Sequence, residues 1–298
     1  MGKKKRLRDN ISAYMLISPA LVLFSIFTIY PFLNAIFISF HQWDGFNDLI
    51  YIGLENYRKL ASDKNIPVYI FQNIQFGAVA ITLKMVLGFF FAVLLNNKFR
   101  GVAFFRTVYF APIVLSYTAV SMMWKQMYNP TNGIINSLLS QIGLINAFDP
   151  PLWIADPRIA IYCLAVIDAW RWMGFHLVIY LAGLQMIPND MYEAATIDGA
   201  SKFQQLKYVT IPQIRNIALV NLAFCLTGMF NIFDLVFLTT SGGPINSTHV
   251  LVTYMYNTAF ASTNQFGYAT SISILLFVII LIITLLLLRL MRYVREQS

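Results

Sequence analysis

The sequence predicts an all-α, polytopic membrane protein built as a bundle of six transmembrane helices. Three observations carry this reading. Of 298 residues, 58% are hydrophobic and 11% charged, where a soluble globular chain carries about a quarter charged residues. Mean hydropathy is +0.64. Six apolar windows meet or approach the roughly 20 residues that a helix needs to cross a bilayer core of about 30 Å. This composition excludes a soluble enzyme and a disordered chain. The net charge of +8 would suit a nucleic-acid binder, but cations flanking membrane spans on one side explain it as well.

In chain order the windows are 13–40, 76–95, 107–124, 159–184, 217–238 and 268–288. The first follows Lys3, Lys4, Lys5 and Arg6. Its apolar run exceeds the 7–15 residues of a secretory signal and lacks an obvious small-residue cleavage site, so it is expected to be a retained span. Residues 1–12 and 289–298 are expected as tails on either side of a 13–288 transmembrane domain.

Orientation follows from counting cations in the connections. Lys3, Lys4, Lys5, Arg6 and Arg8, then Lys98, Arg100 and Arg106, then Lys202, Lys207 and Arg215, then Arg289, Arg292 and Arg295 make fourteen on one side. Arg58, Lys59, Lys64 and Arg158 make four on the other. The positive-inside rule therefore puts both termini in the cytoplasm. The outer connections, 41–75, 125–158 and 239–267, contain turn chemistry but nothing resembling an independent domain.

The cytoplasmic segment 187–212 is the most patterned stretch. Pro188 disfavours helix at Ile187 and so ends the fourth span. Asp190 and Glu193 have capping-box spacing for a short helix, and Gly199 suits the left-handed residue that closes one. Ser201 and Gln204 repeat the capping signature for a second short helix, expected to stop before Pro212. The reading is two short helices joined by a glycine elbow, with Ala194 and Ala195 leaving the first slim enough for close approach by another protein. By spacing alone, Glu193 serves equally well as a cap of its own helix.

Several intramembrane residues stand out, because an ionisable group in the bilayer is costly and so a functional candidate. Lys84 lies in the second span, and Asp168 and Arg171 lie three apart in the fourth, where they share a face and can pair. Trp172 continues that face, giving the aromatic plane beside polar groups that suits a sugar. Asn231 and Asp234, three apart in the fifth span, form a second such pair. A purely structural role, with Asp168 neutralising Arg171 or Lys84, stays open. Two cations against one carboxylate hint at an anionic ligand.

His41, His176 and His249 are scattered, and Cys163 and Cys225 sit singly in apolar runs. No metal site, disulfide framework or catalytic constellation is expected. There is no Gly-x-x-x-x-Gly-Lys-Ser/Thr loop to hold ATP phosphates.

The 187–212 segment resembles the EAA loop of permease subunits of bacterial ATP-binding-cassette importers. Glu193, Ala194 and Ala195 are followed at the family spacing by Gly199 and by Val209-Thr210-Ile211-Pro212, with Val and Ile replacing the pattern's Ile and Leu. Further segments are similar to the carbohydrate-uptake branch of maltose-, lactose-, raffinose- and glycerol-phosphate-type permeases. They include Gly53-Leu54-Glu55-Asn56-Tyr57, Gly133-Ile134-Ile135-Asn136 and Ser241-Gly242-Gly243-Pro244. Asn73-Ile74 stands where the branch commonly has Asn-Thr.

The resemblance implies a type I importer permease fold in the bacterial cytoplasmic membrane. It implies a non-enzymatic transport subunit carrying a di- or oligosaccharide. It also implies the partners: a second, non-identical permease, two cytoplasmic ATPase subunits that hold the ATP and Mg, and an extracellular or periplasmic substrate-binding protein. No cofactor and no nucleic acid belong to this chain. Glu193, Ala194, Ala195, Asp198, Gly199 and Pro212 become candidate ATPase-coupling residues. Lys84, Asp168, Arg171, Trp172, Asn231 and Asp234 become candidates for the substrate path. The alternative is an ion-coupled secondary transporter using Lys84 and Asp168, which would leave the elbow without a role.

Overall fold

A computed structural model describes residues 15–97, 100–146, 148–261 and 264–296, the side chains of 294–296 excepted. The expected tail 1–12, the start of the first span, Lys98 and the last two residues lie outside the described residues. The described residues are mainly helical with almost no strand, as expected. They form two compact units. One holds the chain up to Asp63 together with Met255–Leu275, and the other holds Lys64–Tyr254 and the chain from Leu276 onward.

In the first unit, α1 (Met15–Ser39) presents its apolar side chains outward, with none of its most apolar stretch buried, as suits a helix wetted by lipid. Two short antiparallel strands follow, β1 (His41–Gln42) and β2 (Ile50–Tyr51). Asp44 closes the turn between them by accepting the Phe46 and Asn47 backbone N–H groups. The Asn47 and Phe46 hydrogen bonds hold its carboxyl below the usual carboxylate range. Helix α2 (Glu55–Ser62) is tied back through Asn56, whose amide donates to the Ser39 and His41 carbonyls at 2.9 Å each.

The second unit begins with α3 (Asn65–Leu95), eleven residues longer at its N-terminal end than the apolar window predicts. Then come α4 (Val102–Val114), α5 (Tyr117–Met127), α6 (Ile134–Gln141) and α7 (Ala160–Gln185). The elbow is α8 (Asn189–Ile197) and α9 (Lys202–Gln213). Helices α10 (Arg215–Gly228), α11 (Phe233–Thr239) and α12 (Leu251–Tyr256) follow. The last helix, α13 (Phe266–Glu296), continues through most of the segment expected as a C-terminal tail.

Among the described residues, four helices are long and apolar enough to cross a membrane singly: α1, α3, α7 and α13. The other expected spans are not single rods. The third is α4 and α5, bent by 101° at Leu115 and Ser116. The fifth is interrupted between Gly228 and Phe233, and at its N-terminal end α9 meets α10 at 65°. Hydropathy is blind to these breaks, because residues on both sides are apolar.

Two buried clusters organise this unit. One gathers Phe76 and Ala80 of α3, Val120 and Trp124 of α5, Leu164 and Ile167 of α7, and Leu235 and Val236 of α11. The other sits toward the elbow, where Ala92 and Leu95 meet Leu177, Leu181 and Leu184. Helix α7 is the central post: most of its residues are buried. At Gly174 a Cβ would lie 2.1 Å from the Tyr109 carbonyl oxygen, so only glycine lets α4 lie directly against α7.

Candidate functional site

The elbow is assembled from local rules, though not always the expected ones. Helix α7 ends at Gln185, and Pro188 takes the cap position of α8. The predicted Asp190–Glu193 capping box therefore does not form, because a proline occupies the cap and no side chain caps the helix. Asp190 falls in the first turn instead, where its charge still suits the helix dipole. At the other end Gly199 adopts φ +79°. Its N–H reaches the Thr196 carbonyl and that of Ala200 reaches Ala195, at 3.0 and 2.9 Å, the paired bonds of a Schellman closure. Asp198 is the last residue before the turn.

The second capping box forms as expected. The Gln204 N–H donates to Ser201 Oγ and the Ser201 N–H to Gln204 Oε1. Pro212 does not end α9 but lies inside its last turn. A wider turn over Leu206–Thr210 interrupts the regular ladder just ahead, leaving Pro212 near the start of a new run, where a missing N–H costs nothing. Gln205, buried in the crook, donates to Thr196 Oγ1 at 3.0 Å and the Ala200 carbonyl at 3.2 Å. The Tyr192 and Thr210 hydroxyls meet at 3.0 Å. These bonds lock the two helices into one rigid piece.

What the elbow shows outward is unpartnered. Glu193 and Ala194 are exposed, and Glu193 makes no hydrogen bond or ion pair among the described residues. Ala195 is half-buried, facing inward. Ile197, one turn beyond Glu193, is 86% exposed, and Phe203 across the glycine is 72% exposed. Sequence reasoning missed both, although large apolar side chains in a connection between spans were the available signal.

The intramembrane candidates divide differently. Lys84, Asp168, Trp172 and Asn231 line one cavity of about 400 Å³. Lys84 Nζ lies 2.6 Å from Asp168 Oδ2, with each side chain only 6% exposed. Tyr117, Phe175 and Phe224 complete an aromatic wall, Phe175 standing edge-on to both Trp172 and Phe224. Trp172 Nε1 donates to the Tyr117 hydroxyl at 3.2 Å. His176 also lines the cavity; its ring meets Asn221 Oδ1 at 2.9 Å, with Cys225 Sγ 3.5 Å from its other nitrogen.

Of the two partners left open for Asp168, Lys84 on another helix takes it and Arg171 on its own helix does not, because Arg171 turns toward α4 and α5 and finds partners there. One expectation is corrected. Asn231 and Asp234 do not form one face: Asn231 lies in the break before α11, and Asp234 is exposed in the first turn of α11, outside the cavity. The break resets the helical period that the spacing assumed. Tyr117, Phe224 and Thr227 were missed. Phe224, Thr227 and Asn231 recur at helical spacing, a signal available in the sequence. No group of three or more His, Cys, Asp or Glu residues could hold a metal ion among the described residues.

Comparison with known proteins adds three findings. Residues 84–296 match the model of the family described as binding-protein-dependent transport system inner membrane component. The chain is 33% identical over 275 residues to the probable ABC transporter permease protein YurN of Bacillus subtilis (strain 168), covering 91% of this chain and 93% of that one. It is 31% identical to the trehalose/maltose transport system permease protein MalF of Thermococcus litoralis, over 99% of both chains. Among solved structures, a bacterial ABC transporter involved in import of the acidic polysaccharide alginate contains a chain that matches with TM-score 0.83. At 21% identity this match covers 97% of this chain and 98% of that one, so the two share a fold.

Proposed function

The chain belongs to the family of binding-protein-dependent transport system inner membrane components, and on that premise we propose that it is the permease subunit of an ATP-driven sugar importer. Its relatives are ABC transporter permeases, transport components and not enzymes. Our reading places the chain in a bacterial cytoplasmic membrane with both termini inside. There it pairs with a second, similar but non-identical permease. Two separate ATPase subunits bind ATP and Mg below, and a substrate-binding protein delivers cargo from outside.

The observation that carries this reading is the contrast between rigid backbone and bare surface at the elbow. Internal bonds fix α8 against α9, while Glu193 makes no hydrogen bond or ion pair among the described residues and Ile197 and Phe203 stay largely exposed. An exposed apolar group beside an unpaired carboxylate suits a socket on another protein. A rigid element in a socket moves as a unit when the socket moves, which is how a packed lever transmits work. Closure of the ATPases would swing the elbow and, through the 65° joint at Ile214, tilt α10 along the cavity wall.

The cavity supports a neutral polyhydroxylated cargo, a di- or oligosaccharide. Flat aromatic faces bind the apolar side of a sugar ring, and Asn231, whose amide N–H donates to the Thr227 carbonyl, keeps its side-chain oxygen for a hydroxyl. Lys84 is neutralised by Asp168, so the anionic ligand suggested by counting cations loses one of its two supports. An ion-coupled transporter using Lys84 and Asp168 would leave the elbow without a role.

Reconstitution tests the proposal. Proteoliposomes carrying this chain with the second permease and the ATPase, and the binding protein outside, are expected to accumulate maltose or lactose only when ATP is enclosed. Accumulation by the chain alone, driven by a proton or sodium gradient, would contradict it.

A further inference from the structure

Arg171 was expected to line the path, yet it is absent from the cavity lining and only 7% exposed. Its surroundings explain where it went. The 101° bend between α4 and α5 leaves carbonyls at the end of α4 without helical partners, a serious cost inside a membrane. Arg171 Nη2 donates to two of them, Ile113 O at 3.3 Å and Leu115 O at 2.9 Å. A cation is also favoured at the negative end of the α4 dipole. On the far side of the bend, Ser116 Oγ accepts the Ala119 N–H and starts α5.

The same guanidinium lies 3.7 Å from the centre of the Tyr117 ring. Tyr117 is the first residue of α5, and its hydroxyl receives the Trp172 indole N–H. One face of Tyr117 is thus held by Arg171 while the residue lines the cavity. Arg171 Nε and Nη1 are buried without a hydrogen-bond acceptor among the described residues. Unfilled buried donors are unfavourable, so the side chain is held in place by what Nη2 and the guanidinium plane do.

We propose that Arg171 is a positioning residue: it caps the break in the third apolar stretch and, through its flat face, fixes Tyr117 as part of the cargo wall. This deepens the permease reading and rests on it. The cap requires a positive donor, whereas the stack requires a plane. Lysine keeps the first and lacks the second, so the two roles separate.

The test uses the full chain assembled with its partner subunits in lipid nanodiscs, carrying Arg171→Gln, Arg171→Lys, Tyr117→Leu or Arg171→Lys with Tyr117→Leu. Two quantities are read: amide hydrogen exchange over 115–120, and maltose or lactose uptake in matching proteoliposomes. Arg171→Gln is expected to speed exchange at the break about tenfold, and Arg171→Lys to leave it near the parent rate. Arg171→Lys is nevertheless expected to raise the half-saturating sugar concentration as much as Tyr117→Leu does, with no further rise in the double variant. Unchanged exchange in Arg171→Gln, full recovery of uptake by Arg171→Lys, or additive effects in the double variant would overturn the proposal. If even the parent assembly takes up neither sugar, the permease reading fails, while exchange in Arg171→Gln still decides whether the clamp exists.

Discussion

The elbow and the cavity handle charge in opposite ways. At the elbow every internal polar group needed for rigidity is satisfied, and the charge that matters, Glu193, points away from the chain. Around the cavity the charges are turned inward: Lys84 closes on Asp168, and Arg171, outside the lining, closes on carbonyls at the end of α4 and on Tyr117. The first region keeps its charge free for the partner proposed above, while the second holds its charges against groups of the chain itself. An exposed carboxylate costs little to display, whereas an unpaired intramembrane charge costs several kcal/mol.

That contrast predicts that elbow substitutions damage transport without damaging the chain, and that cavity substitutions damage the chain first. The largest effect is expected from Glu193→Lys. It should abolish ATP-driven uptake at a normal membrane level, while thermal unfolding of the purified chain stays within about 0.5 kcal/mol of the parent, as for other surface changes. Normal uptake would remove Glu193 from the mechanism.

Next comes Lys84→Met, which strands Asp168. Breaking a buried pair from one side costs roughly 3–5 kcal/mol, whereas replacing both partners by apolar groups is often neutral. Lys84→Met combined with Asp168→Leu should therefore regain most of the stability lost by the single variant. A double variant as unstable as the single would show that the pair does more than neutralise itself.

Gly174→Ala sharpens the picture of α7 as a post. Its Cβ would collide with the Tyr109 carbonyl, and overpacking of this kind costs roughly 1–3 kcal/mol, readable as a lowered unfolding temperature. The smallest change in stability among the buried or strained positions is expected from Gly199→Val, about 1–2 kcal/mol for a side chain forced to positive φ. Because that strain falls at the closure of α8, ATP-driven uptake should drop by more than the stability loss alone explains.

The two regions also differ in how much of them the sequence discloses. Elbow features are local: Gly199 and the Ser201–Gln204 box follow from spacing over a few residues and are found where expected. The failures there are local too, since Pro188 usurped the cap meant for Asp190 and a wide turn at Leu206–Thr210 carried α9 past Pro212. The spans are legible because twenty apolar residues have little alternative to helix in a bilayer. Their breaks are not, because Leu115-Ser116 and Met229–Ile232 interrupt geometry without interrupting hydropathy. Cavity pairings lie beyond any local rule: Lys84 meets Asp168 only because α3 packs on α7, and the acceptors of Arg171 are carbonyls that no residue type announces.

The account stands on the elbow being a cytoplasmic surface that another protein covers. Labelling of Ile197→Cys by a membrane-impermeant maleimide measures this directly, since the native Cys163 and Cys225 are buried. The account predicts no labelling in intact cells, ready labelling in inverted vesicles stripped of peripheral proteins, and protection when the ATPase is added back. Labelling in intact cells, or equal labelling with and without the ATPase, would contradict it.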